Sequence, residues 1–525
     1  MTLSARNKTV RNCYPPGPFP NRAKRLAAGY LSVYRLVFAN NRDLARQFGT
    51  QVVGSNQATS TRSAIATLSA NLLEAMKERM RSSFLKRFDP EQDIIGLTLL
   101  LTIFLAVNCI SMTSVLHNSQ TGHGNFWSAV AGMLLLAGFI PLFLLLRFSF
   151  GFLVGFSFYG TIAGFVWITY FTHSTYDHAQ ARWSAVASLL LFLLPLLFQN
   201  ARLLHSFTLS PRAMNLLVVL LLCFAGAALA WNCYYGVAFV GVQEAEQLRN
   251  ASVRPAVLNY LTGSVVGAVL PFAFAYLAWQ CRYALAAVAI LLIVSFYPAL
   301  LNKTVLLAVI WLPLLFFLFR VFEPKRATVL ALLIPMAIGL MLYTLLPPDS
   351  QPGHLAGYLY GLTNVRMFAF PSIAMDRYSD FFASHELTYF CQVGIVRAIK
   401  GCPYAYQLGV EMEAPYHLGH LNASLFATEG IASVGPIWAP LSALLCGLII
   451  SLGNSVSARL PPPLIAASAG LVLQALLNVP LSASLLSNGF FVLLLLWLVT
   501  PRPLPDAAIS DRATAEQAAP SLTGR

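Results

Sequence analysis

From residue 93 to residue 500 the chain alternates apolar windows with short polar turns. Each window approaches or exceeds the length needed to cross a hydrocarbon core of about 30 Å. The windows fall at 93–113, 128–146, 150–171, 184–199, 214–236, 260–279, 283–300, 304–322, 328–346, 430–452, 463–480 and 483–500. They are apolar on all sides, without the two-residue alternation of barrel strands, so they predict helices. The expected fold class is therefore an all-α polytopic membrane protein of about 12 transmembrane helices, one large folded loop standing outside the membrane. The fourth, seventh, eleventh and twelfth windows are the shortest.

Composition sharpens this. Of 525 residues, 57% are apolar and 10% charged, against roughly 25% charged in soluble chains. An ordinary soluble enzyme, a disordered chain and a nucleic-acid-binding module are excluded. The net charge of +14 is a matter of placement, because 15 of the 34 Lys and Arg precede the first apolar window. Twelve spans with both termini inside put 26 of the 34 on the cytoplasmic side, as the positive-inside rule requires. On that topology eight of the nine histidines face outward.

Residues 1–92 show no compact apolar stretch after the first charges, so no signal peptide is expected. Ile65, Leu68, Leu72, Met76, Met80, Phe84 and Phe88 recur every three or four residues among Lys and Arg. That predicts an amphipathic helix over 63–88, on the cytoplasmic leaflet or against a partner. The tail at 501–525 is polar and rich in Pro and Ala and is expected to be disordered. One segment interrupts the run of spans between 93–346 and 430–500. Residues 347–429 are expected to form an outer loop, folded rather than disordered because it is dense in Tyr and Phe.

The same loop concentrates polar chemistry. It holds Arg366, Arg377, Arg397 and Lys400, seven acids from Asp349 to Glu429, and four histidines. Paired guanidinium forks can grip phosphate oxygens at two points; the plainer alternative is that they pair with the neighbouring acids. Glu411 and Glu413 do not complete a metal site, and no Asp-x-Asp, phosphate-binding glycine loop or Cys-x-x-Cys occurs. No metal or cofactor is expected. Cys391 and Cys402, both in the loop, could bond in an oxidising periplasm or pack as free thiols.

The run Arg366-Met-Phe-Ala-Phe-Pro371, the downstream Asp376-Arg377-Tyr378-Ser-Asp-Phe381-Phe382, and the stretch from His420-Leu-Asn422 through Glu429-Gly430 to Gly435 resemble repeat-unit polymerases of bacterial surface polysaccharides (the Wzy type). The resemblance covers about 70 residues; the architecture of many helices and one large outer loop extends it along the chain. It implies an enzyme of the bacterial inner membrane, working at its periplasmic face. Such an enzyme joins undecaprenyl-diphosphate-linked oligosaccharide repeat units, one as donor and one as acceptor, without a metal. It also implies a lipid bilayer setting and, as protein partners, a chain-length regulator and a flippase. The related O-antigen ligases carry a His-Asn pair near this position, whereas here Leu421 separates His420 from Asn422.

A diphosphate is already a good leaving group, so the main demand is to neutralise its developing charge. Arg366 and Arg377 are the first candidates. Lys303, in the short turn Asn302-Lys303-Thr304, and Arg254 follow. A base for the acceptor hydroxyl is sought among the histidines: His420 first, then His417 and His385. Asn422 and Glu429 could position the sugar or orient His420, and Asp376 and Tyr378 flank Arg377. A ligase, or another glycosyltransferase acting on lipid carriers, is the alternative. A transporter or flippase fits less well, because the spans are almost uncharged where it would place its charges.

Overall fold

The computed structural model describes residues 90–118, 125–197, 207–238, 254–347, 350–418 and 420–501. The amphipathic helix expected at 63–88 and the tail after residue 501 lie outside them. Among the described residues there is helix and turn and no strand. The helices up to the long polar segment are α1 (Pro90–Asn118), α2 (Phe126–Leu145), α3 (Phe150–Ile168), α4 (His178–Leu197), α5 (Pro211–Tyr234), α6 (Ala256–Trp279), α7 (Tyr283–Leu300), α8 (Lys303–Val321) and α9 (Pro324–Leu345). After them come α10 (351–381), α11 (Gly394–Lys400), α12 (Ala427–Ser457), α13 (Pro462–Asn478), α14 (Leu481–Leu486) and α15 (Phe490–Val499).

Among the described residues ten helices, α1 to α9 and α12, are long and apolar enough to cross a membrane. The predicted eleventh and twelfth spans are shorter. α13 has 17 residues, and the last window is broken into α14 and α15 at Gly489, whose φ is +78°.

α3 is the axis of the bundle, with all of its 19 residues buried. A helix apolar on every side can only sit inside protein or lipid, and here protein covers it. Phe104, Phe143, Phe192, Phe426 and Phe490 pack on its aromatic side chains at ring distances of 4.8–5.7 Å. At Gly164 a Cβ would collide with the Ser372 hydroxyl, so glycine there is what lets α10 come close.

The segment 347–429, expected as a folded outer loop, begins with a helix packed on the bundle. Residues 351–381 form one helical run, π-helical from Gly361 to Ala369, whose inner face packs on α1, α3 and α9. Asn364, fully buried, donates to Ser111 Oγ at 3.0 Å and to the Met336 carbonyl at 2.9 Å. Tyr360 donates to the Ser111 carbonyl at 3.3 Å, and Ser372 to the Thr161 carbonyl at 2.9 Å. Tyr360, Asn364 and Ser372, which interrupt the hydropathy of this segment, face inward and are matched by polar groups of the bundle, whereas His354 and Arg366 are exposed. Hydropathy alone scores such a helix as a loop.

The span expected at 430–452 is present in α12 but is not one straight helix. Gly435 adopts φ 79°, ψ 170°, open in practice only to glycine, and the helix folds back there. Ser442 Oγ reaches the Glu429 carbonyl at 2.6 Å, where a straight helix would hold them about 19 Å apart. Residues 427–434 are therefore a short re-entrant arm beside the span that resumes at Pro436. Every residue from Ala423 to Ser433 is buried. Irregular backbone survives at such depth only with internal partners, and these are present: Thr428 Oγ1 bonds the Ala423 carbonyl, and Ser433 Oγ bonds the Thr428 carbonyl at 2.7 Å.

Candidate functional site

The polar chemistry of the described residues gathers where the end of α3, the start of α4 and the end of α10 meet. The connection Thr169–Asp177 wraps the last turns of α10. Asp376, 1% exposed, accepts from Tyr176 OH at 2.6 Å, Thr172 Oγ1 at 3.0 Å and Ser174 Oγ at 3.2 Å. Burial pushes the Asp376 carboxyl up from its ordinary value, opposed by the Tyr176 hydroxyl and the Arg377 charge. The Tyr176 phenol is pushed up as well, by burial first and the Asp376 charge second. One turn on, Asp380 accepts from the Thr175 N–H at 3.1 Å and from Tyr416 OH at 2.9 Å.

Arg377 stands on this base with its side chain 29% exposed. Its Nη1 donates to Ser174 Oγ at 2.9 Å and lies 3.8 Å from Asp376 Oδ2, and its guanidinium sits 5.3 Å from the Tyr416 ring centre. The neighbouring acid thus holds Arg377 loosely, at one edge of the fork. Tyr416 OH also reaches the Arg377 carbonyl at 3.3 Å, and Tyr378 OH donates to the Leu421 carbonyl at 3.3 Å. These two bonds lay the strap 416–421 over the end of α10.

That strap carries His420. Its Nε2 is 2.9 Å from Glu413 Oε2, with both side chains nearly half exposed. Asp376, Arg377, Tyr378 and His420 are therefore assembled in one region. His417, in the left-handed conformation at φ 52°, is exposed on the same strap. Asn422 lies against Gly409.

The remaining sequence candidates are placed elsewhere. Arg366 is exposed on α10, its guanidinium 4.6 Å from the Phe370 ring centre. Eleven residues along a helix separate it from Arg377 by about 16 Å, so the two cannot share one phosphate without long side chains converging. Lys303 opens α8 behind Asn302, whose side chain accepts from the Thr304 N–H at 3.0 Å. Arg254 bonds the Ala299 carbonyl and, at 3.4 Å, Asn232 Oδ1, pinning the connection before α6 to α5 and α7; burial pushes its pKa down. Glu429 is engaged inside the fold, accepting from the Leu481 N–H at 2.5 Å, the Leu425 N–H at 2.8 Å and Ser424 Oγ at 3.1 Å. Its carboxylate braces the re-entrant arm from inside the fold, buried and facing donors of the chain itself. His385 is stacked on Phe381 at 3.8 Å, with Nδ1 against the Phe381 carbonyl at 2.8 Å. Glu411 and Glu413 diverge, the former to the Tyr406 N–H at 2.8 Å and the latter to His420.

The sequence reading missed Thr172, Ser174, Tyr176 and Tyr416, and had Asp380 and Glu413 only among the acids of the loop. The signal for the first three was present: Thr172-His-Ser174-Thr-Tyr176-Asp-His178 is an unusually polar connection between two apolar helices. Cys391 and Cys402 are bonded, with Cα atoms 5.3 Å apart.

Comparison with protein-family models, with curated proteins and with solved structures finds no match to this chain.

Proposed function

We propose that this chain is a membrane glycosyltransferase that polymerises undecaprenyl-diphosphate-linked oligosaccharide repeat units. The reading places it in a bacterial cytoplasmic membrane, with both termini inside and the Arg377–His420 region on the outer face. It takes α13 and the broken 481–499 run, about 28 Å long if fully helical, as the last two of twelve spans. The observation that carries the proposal is a partly exposed guanidinium, buttressed from below and loosely held by its acid, in the same region as a nearly half-exposed His–Glu pair at one end of an apolar bundle. A lipid-linked diphosphate donor, lying in the bilayer with its head at the surface, needs a cation and a base in that arrangement.

In the reaction an acceptor hydroxyl oxygen bonds to the donor's anomeric carbon, the bond from that carbon to the diphosphate oxygen breaks, and the diphosphate leaves with the electron pair. Arg377 meets the growing negative charge with its free N–H groups. Glu413 holds the proton on His420 Nε2, which leaves Nδ1 to take the hydroxyl proton. Arg366, further along α10, is assigned to a second anionic group of the substrate.

The test is complementation of a polymer-deficient strain, scored for glycan length with the membrane level of each variant measured alongside. Arg377→Lys keeps the charge but loses the planar fork. Loss of one charge-assisted contact, about 1.5–3 kcal/mol, predicts a fall in rate of about ten- to over a hundredfold. Normal polymer from Arg377→Lys at normal level would place the diphosphate elsewhere. The His–Glu pair also suits an O-antigen ligase, and the deletion strain separates the two. Single repeat units still attached to the surface acceptor mark a polymerase, and no attached glycan marks a ligase.

A further inference from the structure

A small lobe at the same end of the bundle has no part in the proposed chemistry. Its core is the loop closed by Cys391–Cys402, which contains α11, Gly-Ile-Val-Arg-Ala-Ile-Lys. Ile395 and Ile399 are 74% and 79% exposed, although one turn of helix sets them side by side. Tyr389 and Tyr406 of the same lobe are also exposed. Two exposed isoleucines on a rigid, disulfide-closed element are costly in water.

Two further observations say what covers them. The first is height. The lobe is fastened to the turn of the re-entrant arm: the Thr388 N–H donates to the Ala432 carbonyl at 2.8 Å, Gln392 Nε2 to Ser433 Oγ at 2.9 Å, and Leu387 packs against Gly435. Just beyond that turn Trp438 is exposed, and so is Trp183 on α4, the two helices joined by Ser184 Oγ to the Pro436 carbonyl at 2.5 Å. Exposed tryptophans at the ends of spanning helices mark the headgroup level. The second is charge. Lys400 lies about 100° round the helix from Ile399 and no carboxylate of the described residues pairs with it, so its stem can run along an apolar surface while its ammonium stays at phosphate depth. Arg397, on the far side, bonds the Ala405 carbonyl at 3.2 Å and stiffens the lobe.

We propose that α11 is an interfacial anchor, with Ile395 and Ile399 inserted among the headgroups of the surrounding bilayer and Lys400 on their anionic phosphates. The lobe then holds the strap that carries His420 at a fixed height above the membrane. This does not depend on the glycosyltransferase reading.

Photocrosslinking tests it. p-Benzoylphenylalanine is placed at Ile395 or Ile399 in the full chain, with Leu134, exposed on α2, as a lipid-facing control. The protein is irradiated in cell membranes and in vesicles of phosphatidylethanolamine with or without phosphatidylglycerol, and the adducts are identified by mass spectrometry. Closure of Cys391–Cys402, read by resistance to alkylation, shows that each variant has folded. Phospholipid adducts at both positions, in yield comparable with Leu134 and raised severalfold by phosphatidylglycerol, are expected. Lys400→Glu should remove the dependence on phosphatidylglycerol. An adduct with another polypeptide in cell membranes would make the patch a protein-docking surface. Absence of lipid adducts from folded protein would leave it in water. Either result overturns the proposal.

Discussion

Glu429 offers the sharpest test of how the buried arm is held. Its Oε1 takes the Leu481 N–H, and its Oε2 takes the Leu425 N–H and the Ser424 hydroxyl. A hydroxyl can turn round and accept, but a backbone N–H cannot. In Glu429→Gln the amide NH2 must therefore face one of the two N–H groups, whichever way it is flipped, leaving a buried donor without an acceptor. One such orphan costs about 1–3 kcal/mol. Glu429→Ala orphans both and opens a void, for about 3–6 kcal/mol. The relief of removing a buried charge works the other way, but three donors already compensate that charge. The expected order of stability is wild type, then Gln, then Ala. Heating the detergent-solubilised protein and measuring the fraction that stays monodisperse on size exclusion gives that order. If both variants kept wild-type heat resistance while losing polymer, the brace would be refuted and Glu429 would act on substrate.

Four other outcomes follow from the geometry. Gly435→Ala forces a Cβ into a backbone region that L residues avoid, costing about 1–3 kcal/mol, and should lower the amount of folded protein in the membrane although the Cβ would meet Leu387 only at an ordinary contact distance of 3.6 Å. Asp376 has a folded pKa above its unfolded one, so stability is lost as pH rises from the ordinary carboxylate value near 3.9 toward the folded value. Asp376→Asn removes that slope, and its stability relative to wild type should climb with pH across that window; a constant difference would show that the carboxyl is not buried. Opening Cys391–Cys402 releases a short loop held by about 2–4 kcal/mol in the chain-entropy model, so trypsin should cut at Arg397 and Lys400 faster after reduction, and equal rates would contradict the bond. His420→Ala should slow turnover while lipid-linked donor still binds, as retention of radiolabelled donor on purified protein would show.

The apolar windows were legible because lipid-facing and core-facing helices obey the same rule, a sustained apolar run. α3, the most hidden helix, was read from sequence as 150–171 and folds as Phe150–Ile168. Where polarity is buried the rule fails. Asn364, Ser372 and Asp376 face inward on α10, and only the partners at Ser111, Thr161 and Thr172 reveal that they are satisfied. The Gly435-Pro436 pair was visible as a helix breaker, but the apolar residues on both sides carried the window through it. Arg377 and His420 were singled out by residue type, whereas Ser174 and Tyr416, which orient Arg377, lie 203 and 39 residues from it in sequence and become neighbours only when the helices pack.

The brace at Glu429 also orders events during synthesis. One of its three donors, the Leu481 N–H, lies 52 residues downstream, and the Ser424 N–H bonds the Leu477 carbonyl. When residues 423–433 emerge from the ribosome, the groups that will receive them do not yet exist. The arm must wait, without its bonds to Leu477 and Leu481, until α13 and the first turn of α14 have been made and inserted. A chain stopped short of Leu481 would hold every residue of the Arg377–His420 region and still be unable to seat it, which makes the final helices a checkpoint for assembly.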